Sequence, residues 1–138
     1  MKQAFRTITL STRGPELYDF TREAEKFVRE SGITEGLLTC FIRHTSASLT
    51  IQENADPNVR RDLVTAFARL APEDFPYRHD EEGPDDMPSH IKAALTQSSL
   101  GIPVQGGRLM LGTWQGLYLF EHRAIPHARE VLLHLIGA

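Results

Sequence analysis

The chain has 138 residues, 41% of them hydrophobic and 24% charged, which is the size and balance of one domain able to bury a core without disulfides or a structural metal. A formal net charge of −3 speaks against a basic field for nucleic acid or for an anionic membrane surface. The longest apolar runs, such as Gly36 to Ile42, are far too short to span a bilayer.

MKQAFRTITL, at the start, reads as a strand rather than a secretion leader, because basic residues interrupt any apolar core. Residues 3–11 alternate at strand period. Gly14-Pro15 is then expected to open a helix in which Leu17, Phe20, Ala24, Phe27 and Val28 form one apolar stripe, ended by Ser31-Gly32. Leu37 to His44 is a strand. Leu38, Cys40 and Ile42 lie on one face and Leu37 and Phe41 on the other, so cover is expected on both sides. Cys40 is the only cysteine; an intrachain disulfide is excluded, and a reducing, cytoplasmic setting is expected.

Ala47 to Gln52 is a further strand. Asp56-Pro57 combines a carboxylate cap with proline in the first turn, a helix start, and Val59, Leu63, Ala66, Phe67 and Leu70 supply its expected buried stripe. EDFPYRHDEEGPDDM, residues 73–87, is a loop by composition. A short helix from Pro88 to about Thr96 is expected to be capped by Asp86 or Met87. In IPVQGGRLML, Gly106-Gly107 between two apolar runs marks a hairpin. GTWQG makes another turn into the strand LYLFEHR, and VLLHLI is the last strand. The order predicts a single α+β domain over 1–138, mainly an antiparallel mixed sheet or sandwich with about three helices.

Six histidines divide into two groups. His127 and His134 read as packing or solvated residues. His44 and His122 fall at strand ends beside Arg43 and Arg123, and His79 and His90 bracket the acidic loop. Imidazole and carboxylate are zinc-type donors. A loop histidine and a helix histidine therefore make a candidate clip, which His44 would join if its strand end met them in space. Against this, His90 reads equally as helix support and His79 as a solvated loop residue. Asp85 and Asp86 either bind the metal, hold the imidazoles or cap the helix.

In HTSAS, the hydroxyls of Thr45, Ser46 and Ser48 suit phosphate oxygens better than nucleophilic attack, since there is no GxSxG elbow. A plain polar strand edge is the competing reading. Arg108 and Arg123 are the candidate phosphate cations, unless they pair with carboxylates. Trp114 reads either as a core-filling residue or, with Gln115 fixing orientation, as the lining of a pocket for a flat ring.

Three blocks, HTSASLTIQENADP at 44–57, HDEEGPDDMPSHIKAAL at 79–95 and IPVQGGRLMLGTWQGLYLFEHR at 102–123, together resemble the YjbQ-like family, also called the secondary thiamine-phosphate synthase family. The resemblance implies an α+β homotrimer with a weak thiamine-phosphate synthase activity. Its shared polar positions fall on His44, Thr45, Ser46, Ser48, Glu53, Asn54, Asp56, His79, Asp85, Asp86, His90, Gln115, Glu121 and His122; Gln97 stands where a glycine is expected. The mechanism expected from both lines is as follows. A divalent metal (zinc, magnesium or manganese) on His44, His79 and His90 offsets diphosphate charge. Thr45, Ser46, Ser48, Asn54, Arg108 and Arg123 orient a phosphorylated metabolite. Trp114 and Gln115 face the ring, Glu121 or Asp86 orients a histidine, and His44, Glu121 and Asp86 are the candidate catalytic residues. A metal-dependent hydrolase, with Glu53 or Glu121 as base, and a non-catalytic trimeric metabolite- or metal-binding module are the alternatives.

Overall fold

The computed structural model describes residues 1–138. Eight strands and three helices follow one another as β1 (Lys2–Thr12), β2 (Glu16–Asp19), α1 (Thr21–Ser31), β3 (Gly36–Ile42), β4 (Ala47–Glu53), α2 (Pro57–Leu70), α3 (Asp86–Leu95), β5 (Ser99–Gln105), β6 (Arg108–Leu109), β7 (Gln115–Glu121) and β8 (His127–Gly137). A five-stranded sheet runs β1-β8-β3-β5-β6 and a three-stranded sheet runs β2-β7-β4. Every pairing is antiparallel.

The core lies between the two sheets. Leu38, Cys40, Ile42, Ile102, Leu133 and Leu135 point in from the larger sheet, Ala47, Leu49, Leu117 and Leu119 from the smaller, and Phe20, just before α1, closes the space with Ala24, Phe27 and Val28 of the helix. Burial pushes the Cys40 thiol up to about 12. On the other face of the smaller sheet, Leu17, Tyr118 and Phe120 carry α2 through Leu63, Val64 and Phe67.

Where the sequence suggested a helix from Gly14-Pro15, the chain first makes β2. Leu17 pairs with Phe120 and is buried there, so it belongs to a sheet and not to the α1 stripe. α1 begins at Thr21, after the Asp19 carboxylate has accepted the Thr21 N–H at 2.8 Å. α2 starts as expected, with the Asp56 side chain accepting from the Asn58 amide at 2.9 Å. Its stripe is shallower than expected: no α2 residue is fully buried, and Leu70 is 63% exposed. α3 starts earlier than expected and its first-turn carboxylates do not cap it. The GG hairpin is present, with φ of 59° and 73° at Gly106 and Gly107, values that only glycine adopts readily.

Cover on both faces of β3 is the expectation that the single chain does not meet. Leu38, Cys40 and Ile42 are buried, yet Leu37 and Phe41 on the outer face are 45% and 43% exposed. Phe5 and Ile136 share that face and are also exposed.

Candidate functional site

The acidic loop between α2 and α3 folds back onto the start of α3. His79 comes from the loop, Asp86 from the first helical position and His90 from one turn later, so the i, i+4 spacing puts Asp86 and His90 on one helix face. Their ligand-type atoms all lie within 4.8 Å of one another. Asp86 Oδ2 is 2.6 Å from His79 Nε2 and 3.1 Å from His90 Nε2. Asp86 Oδ1 accepts from Arg123 Nη1 at 2.5 Å. Burial raises the Asp86 pKa, but His79, Arg123 and His90 outweigh it and hold the carboxyl below its ordinary value. His79, hydrogen-bonded to Asp86, is held above the ordinary imidazole value. Glu82 Oε2 is a further neighbour, 3.1 Å from His79 Nε2.

His90 carries the most informative contact. Its Nδ1 lies 3.1 Å from the Thr45 carbonyl oxygen. A carbonyl only accepts, so Nδ1 holds the ring proton and a neutral ring turns the Nε2 lone pair toward Asp86 Oδ2. A lone pair facing a carboxylate oxygen is repulsive unless a proton or a metal ion sits between them. Two imidazoles, one carboxylate and a carbonyl that fixes the tautomer form a donor set that fits zinc. It suits magnesium poorly, since that ion favours oxygen donors.

A second polar network lies deeper. Glu121 is fully buried at the end of β7. It accepts from Arg129 Nε at 2.8 Å and Nη2 at 2.6 Å, from Thr12 Oγ1 at 2.5 Å, and from the amides of His122 and Arg123 at 3.0 and 3.1 Å. Burial pushes the Glu121 carboxyl up, and the Arg129 and Thr12 hydrogen bonds reverse this to hold it low. Both oxygens are occupied by protein donors. In this chain Glu121 holds Arg129 and the strand end.

His44 stands apart from the metal-type cluster, correcting its expected place among the ligands. It contacts Arg129 and the Glu130 amide, while the clustered donors are His79, Asp86 and His90. Burial, then the Arg129 charge, lowers its pKa. His122 is buried beneath α3, with Nε2 2.9 Å from Ser48 Oγ, and burial drives its pKa down to about 3. Ser48 also meets Thr96 Oγ1 at 2.6 Å, so it is a link in a buried chain. Thr45, Ser46, Ser48, His44 and His90 nevertheless surround one region: a cavity of about 290 Å³ is lined by His44, Thr45, Ser48 and His90, and one of about 510 Å³ by His44, Thr45, Ser46 and Arg129.

Other expected members lie elsewhere. Asn54 and Gln115 sit at the opposite ends of β4 and β7 from Ala47 and Glu121, roughly 20 Å away at the strand rise of about 3.3 Å per residue. With Arg108 they line a separate cavity of about 470 Å³. Trp114 is 63% exposed beside it in the chain. In one chain these four do not share the histidine site. Glu53 is at that end too, its carboxylate accepting the Ala55 and Asp56 amides, so it braces the turn and is no hydrolytic base for the histidines. Arg123 pairs with Asp85 and Asp86 and bonds the Glu82 carbonyl, the alternative to a phosphate that the sequence left open. Asp85, bonded to Arg123 and the Ala124 amide, ties α3 to the segment after β7. His127 and His134 are bland as read: His127 Nδ1 meets the Ile125 carbonyl, and His134 stacks on Phe5 at 4.3 Å. Arg129 went unnoticed in the sequence. Its signal, an arginine in the alternating AREVLLHL strand at a position facing inward, was visible there.

A two-sheet α+β fold with a His-Asp-His cluster at the edge of α3 defines the class. The profile of the UPF0047 protein YjbQ-like family matches residues 6–138, and the chain belongs to that family. It is 54% identical over 131 residues to UPF0047 protein sll1880 of Synechocystis sp., covering 94% of this chain and 89% of that one. It is 46% identical over 133 residues to UPF0047 protein YjbQ of Salmonella typhimurium, covering 96% of each. The crystal structure of a YbjQ-like protein of unknown function from Sulfolobus solfataricus superimposes with a TM-score of 0.92 at 26% identity, over 99% of both chains. That of a YjbQ/UPF0047 family protein from Clostridium acetobutylicum gives 0.89 at 38% identity, over 95% of this chain and 99% of the other. No helix is long and apolar enough to cross a membrane.

Proposed function

We propose that the chain is a divalent-metal-dependent enzyme of phosphorylated small molecules, working as a homotrimer, with the ion held by His79, Asp86 and His90. The His90 geometry carries this reading: with Nδ1 given to the Thr45 carbonyl, Nε2 meets Asp86 Oδ2 at 3.1 Å, and either a proton or a metal ion bridges the two. When bound, such an ion compensates charge that develops on a phosphate or diphosphate. The protein groups around it hold geometry. Arg123 fixes Asp86, and Thr45 fixes His90.

Among reactions of this kind, thiamine-phosphate synthase chemistry is supported by the family resemblance and by economy of proton transfer. A thiazole nitrogen displaces diphosphate from a pyrimidine carbinyl carbon, which asks for positioning and charge compensation and little acid–base help. Of the two buried carboxylates, Glu121 is fully hydrogen-bonded by protein donors and Asp86 serves as a ligand on this reading, so neither is free to act as a base. The hydrolase reading draws on one observation, the exposed Glu82 carboxylate beside His79, which would serve as its base.

The trimer is supported by the apolar outer face, where Phe5, Leu37, Phe41 and Ile136 are exposed together. A solution mass three times the chain's 15.5 kDa is expected, falling in a Leu37→Glu/Phe41→Glu variant; a monomeric wild type removes this part of the reading. For the site, untagged protein prepared without chelator should hold about one divalent ion per chain, lost in a folded His79→Ala/His90→Ala variant. No ion after addition of zinc, manganese and magnesium overturns the metal reading. Thiamine phosphate formed from both substrates supports the synthase. Phosphate released from one substrate alone supports the hydrolase. Tight binding with turnover far below about 1 per second supports a binding module.

A further inference from the structure

We propose that His44 and Arg129 form an anion subsite that takes the phosphoryl oxygens of the substrate; it rests on the reading above only in assuming that the substrate is phosphorylated. The Glu130 amide donates to His44 Nε2 at 2.8 Å. An amide N–H cannot accept, so Nε2 carries the lone pair and the neutral ring's proton sits on Nδ1. Nδ1 lies 3.5 Å from Arg129 Nη1, which is also purely a donor. Two donors therefore face each other with no acceptor between them.

Arg129 is only 3% exposed, and its other nitrogens are spent. Nε and Nη2 bond Glu121, and Nη2 also bonds Ser46. Nη1 has no acceptor, since its one polar neighbour is His44 Nδ1, which carries a proton. His44 and Arg129 line the cavity of about 510 Å³, as do Arg43, Ser46 and Ser98. Ser46 Oγ accepts from Arg129, which leaves its own hydrogen free to donate. Arg43 is a mostly exposed cation at 3.7 Å from Glu130. No carboxylate lines this cavity, in a chain whose net charge is negative.

Donors from three segments around one space suit an anion with three or more terminal oxygens better than a planar carboxylate. The subsite is also coupled to the metal-type cluster by adjacent residues. Thr45 offers its carbonyl to His90, and Ser46 holds Arg129. One short segment thus aligns a phosphoryl group with the cluster.

The test is calorimetric titration of inorganic phosphate and of diphosphate into metal-free and zinc-loaded protein, with acetate as the competing anion. Metal-free wild type should bind diphosphate, and acetate should not displace it. His44→Ala and Arg129→Lys should each weaken binding by about tenfold or more, as expected for a charge-assisted hydrogen bond, with zinc content unchanged. Arg129→Lys keeps a cation against Glu121 but loses Nη1. Should it fail to fold, the half-buried His44 decides through His44→Ala. No binding of either anion to the wild type at millimolar concentration, unchanged affinity in His44→Ala, or equal binding of acetate would overturn the subsite. Binding to metal-free protein keeps the outcome separate from the metal reading: failure to take up zinc leaves the subsite standing, and loss of the subsite leaves the zinc site standing.

Discussion

Glu121 and Asp86 are both buried carboxylates at the ends of secondary structure, and both touch an arginine, yet their surroundings differ in kind. Around Glu121 the donors are two backbone amides, a hydroxyl and a guanidinium, none of which changes protonation near neutral pH. Around Asp86 Oδ2 stand two imidazoles, whose protons are optional. The first network is closed and holds strand ends together. The second, on the reading proposed above, would trade a proton for a metal ion. A carboxylate's usefulness is set less by its own burial than by whether its partners can give something up.

The largest expected effect breaks the closed side. Arg129→Ala strands the Glu121 charge in the core and should cost about 3–5 kcal/mol in chemical denaturation, as for other broken buried pairs. On the open side, Asp86→Asn leaves Arg123 its Asp85 and Glu82 partners, so it should cost clearly less stability than Arg129→Ala and weaken zinc binding about 100-fold by competition with a chromophoric chelator. Equal stability losses in the two variants would erase the distinction.

Protons sharpen the comparison next. His122 titrates at about 3 when folded, against about 6.5 unfolded, so the unfolded chain takes the proton first. Its contribution to stability is complete above about pH 6.5 and drains as pH falls toward 3, at up to about 1.4 kcal/mol per unit. His122→Gln should flatten that slope in denaturation curves. His79 acts with the opposite sign. Its raised folded pKa adds stability to the metal-free protein below about pH 6.5, and that gain is lost as pH rises through the folded value. Zinc needs the neutral ring, so apparent zinc affinity should fall over the same window on acidification, and NMR titration of the His79 ring should locate it. The smallest effect belongs to local structure alone: Asp56→Ala should cost about 1 kcal/mol of stability through the lost helix cap, with zinc uptake untouched.

Much of this architecture was legible in the sequence because it is written in local rules. The Asp56-Pro57 start, the Gly106-Gly107 hairpin and the alternation in β1 and β8 each depend on neighbours a few residues away. The errors came where partners are distant. Leu17 fits a helical stripe until its pairing with Phe120, about a hundred positions on, makes it a strand residue. Asp86 resembles a cap until Arg123 and two imidazoles claim it. The pairing of His79 and His90 could be suspected from spacing, since a loop and a helix start are adjacent in sequence. The exclusion of His44 from that cluster, and its meeting with Arg129 across 85 positions, could not. Nor could the 44–57 block show that its two ends, both rich in polar residues, would be held apart by the length of β4.

Cys40, at the centre of β3 and wholly inside the core, makes the chain its own reporter of breathing. A thiol pushed up to about 12 is neither ionised nor within reach of a reagent while the sheets stay closed. Alkylation in native buffer therefore proceeds only through openings that expose β3, and its rate measures their free energy without any introduced label. Comparing that rate with zinc, with phosphate and with both would show whether occupancy at the rim is felt at the middle of the fold.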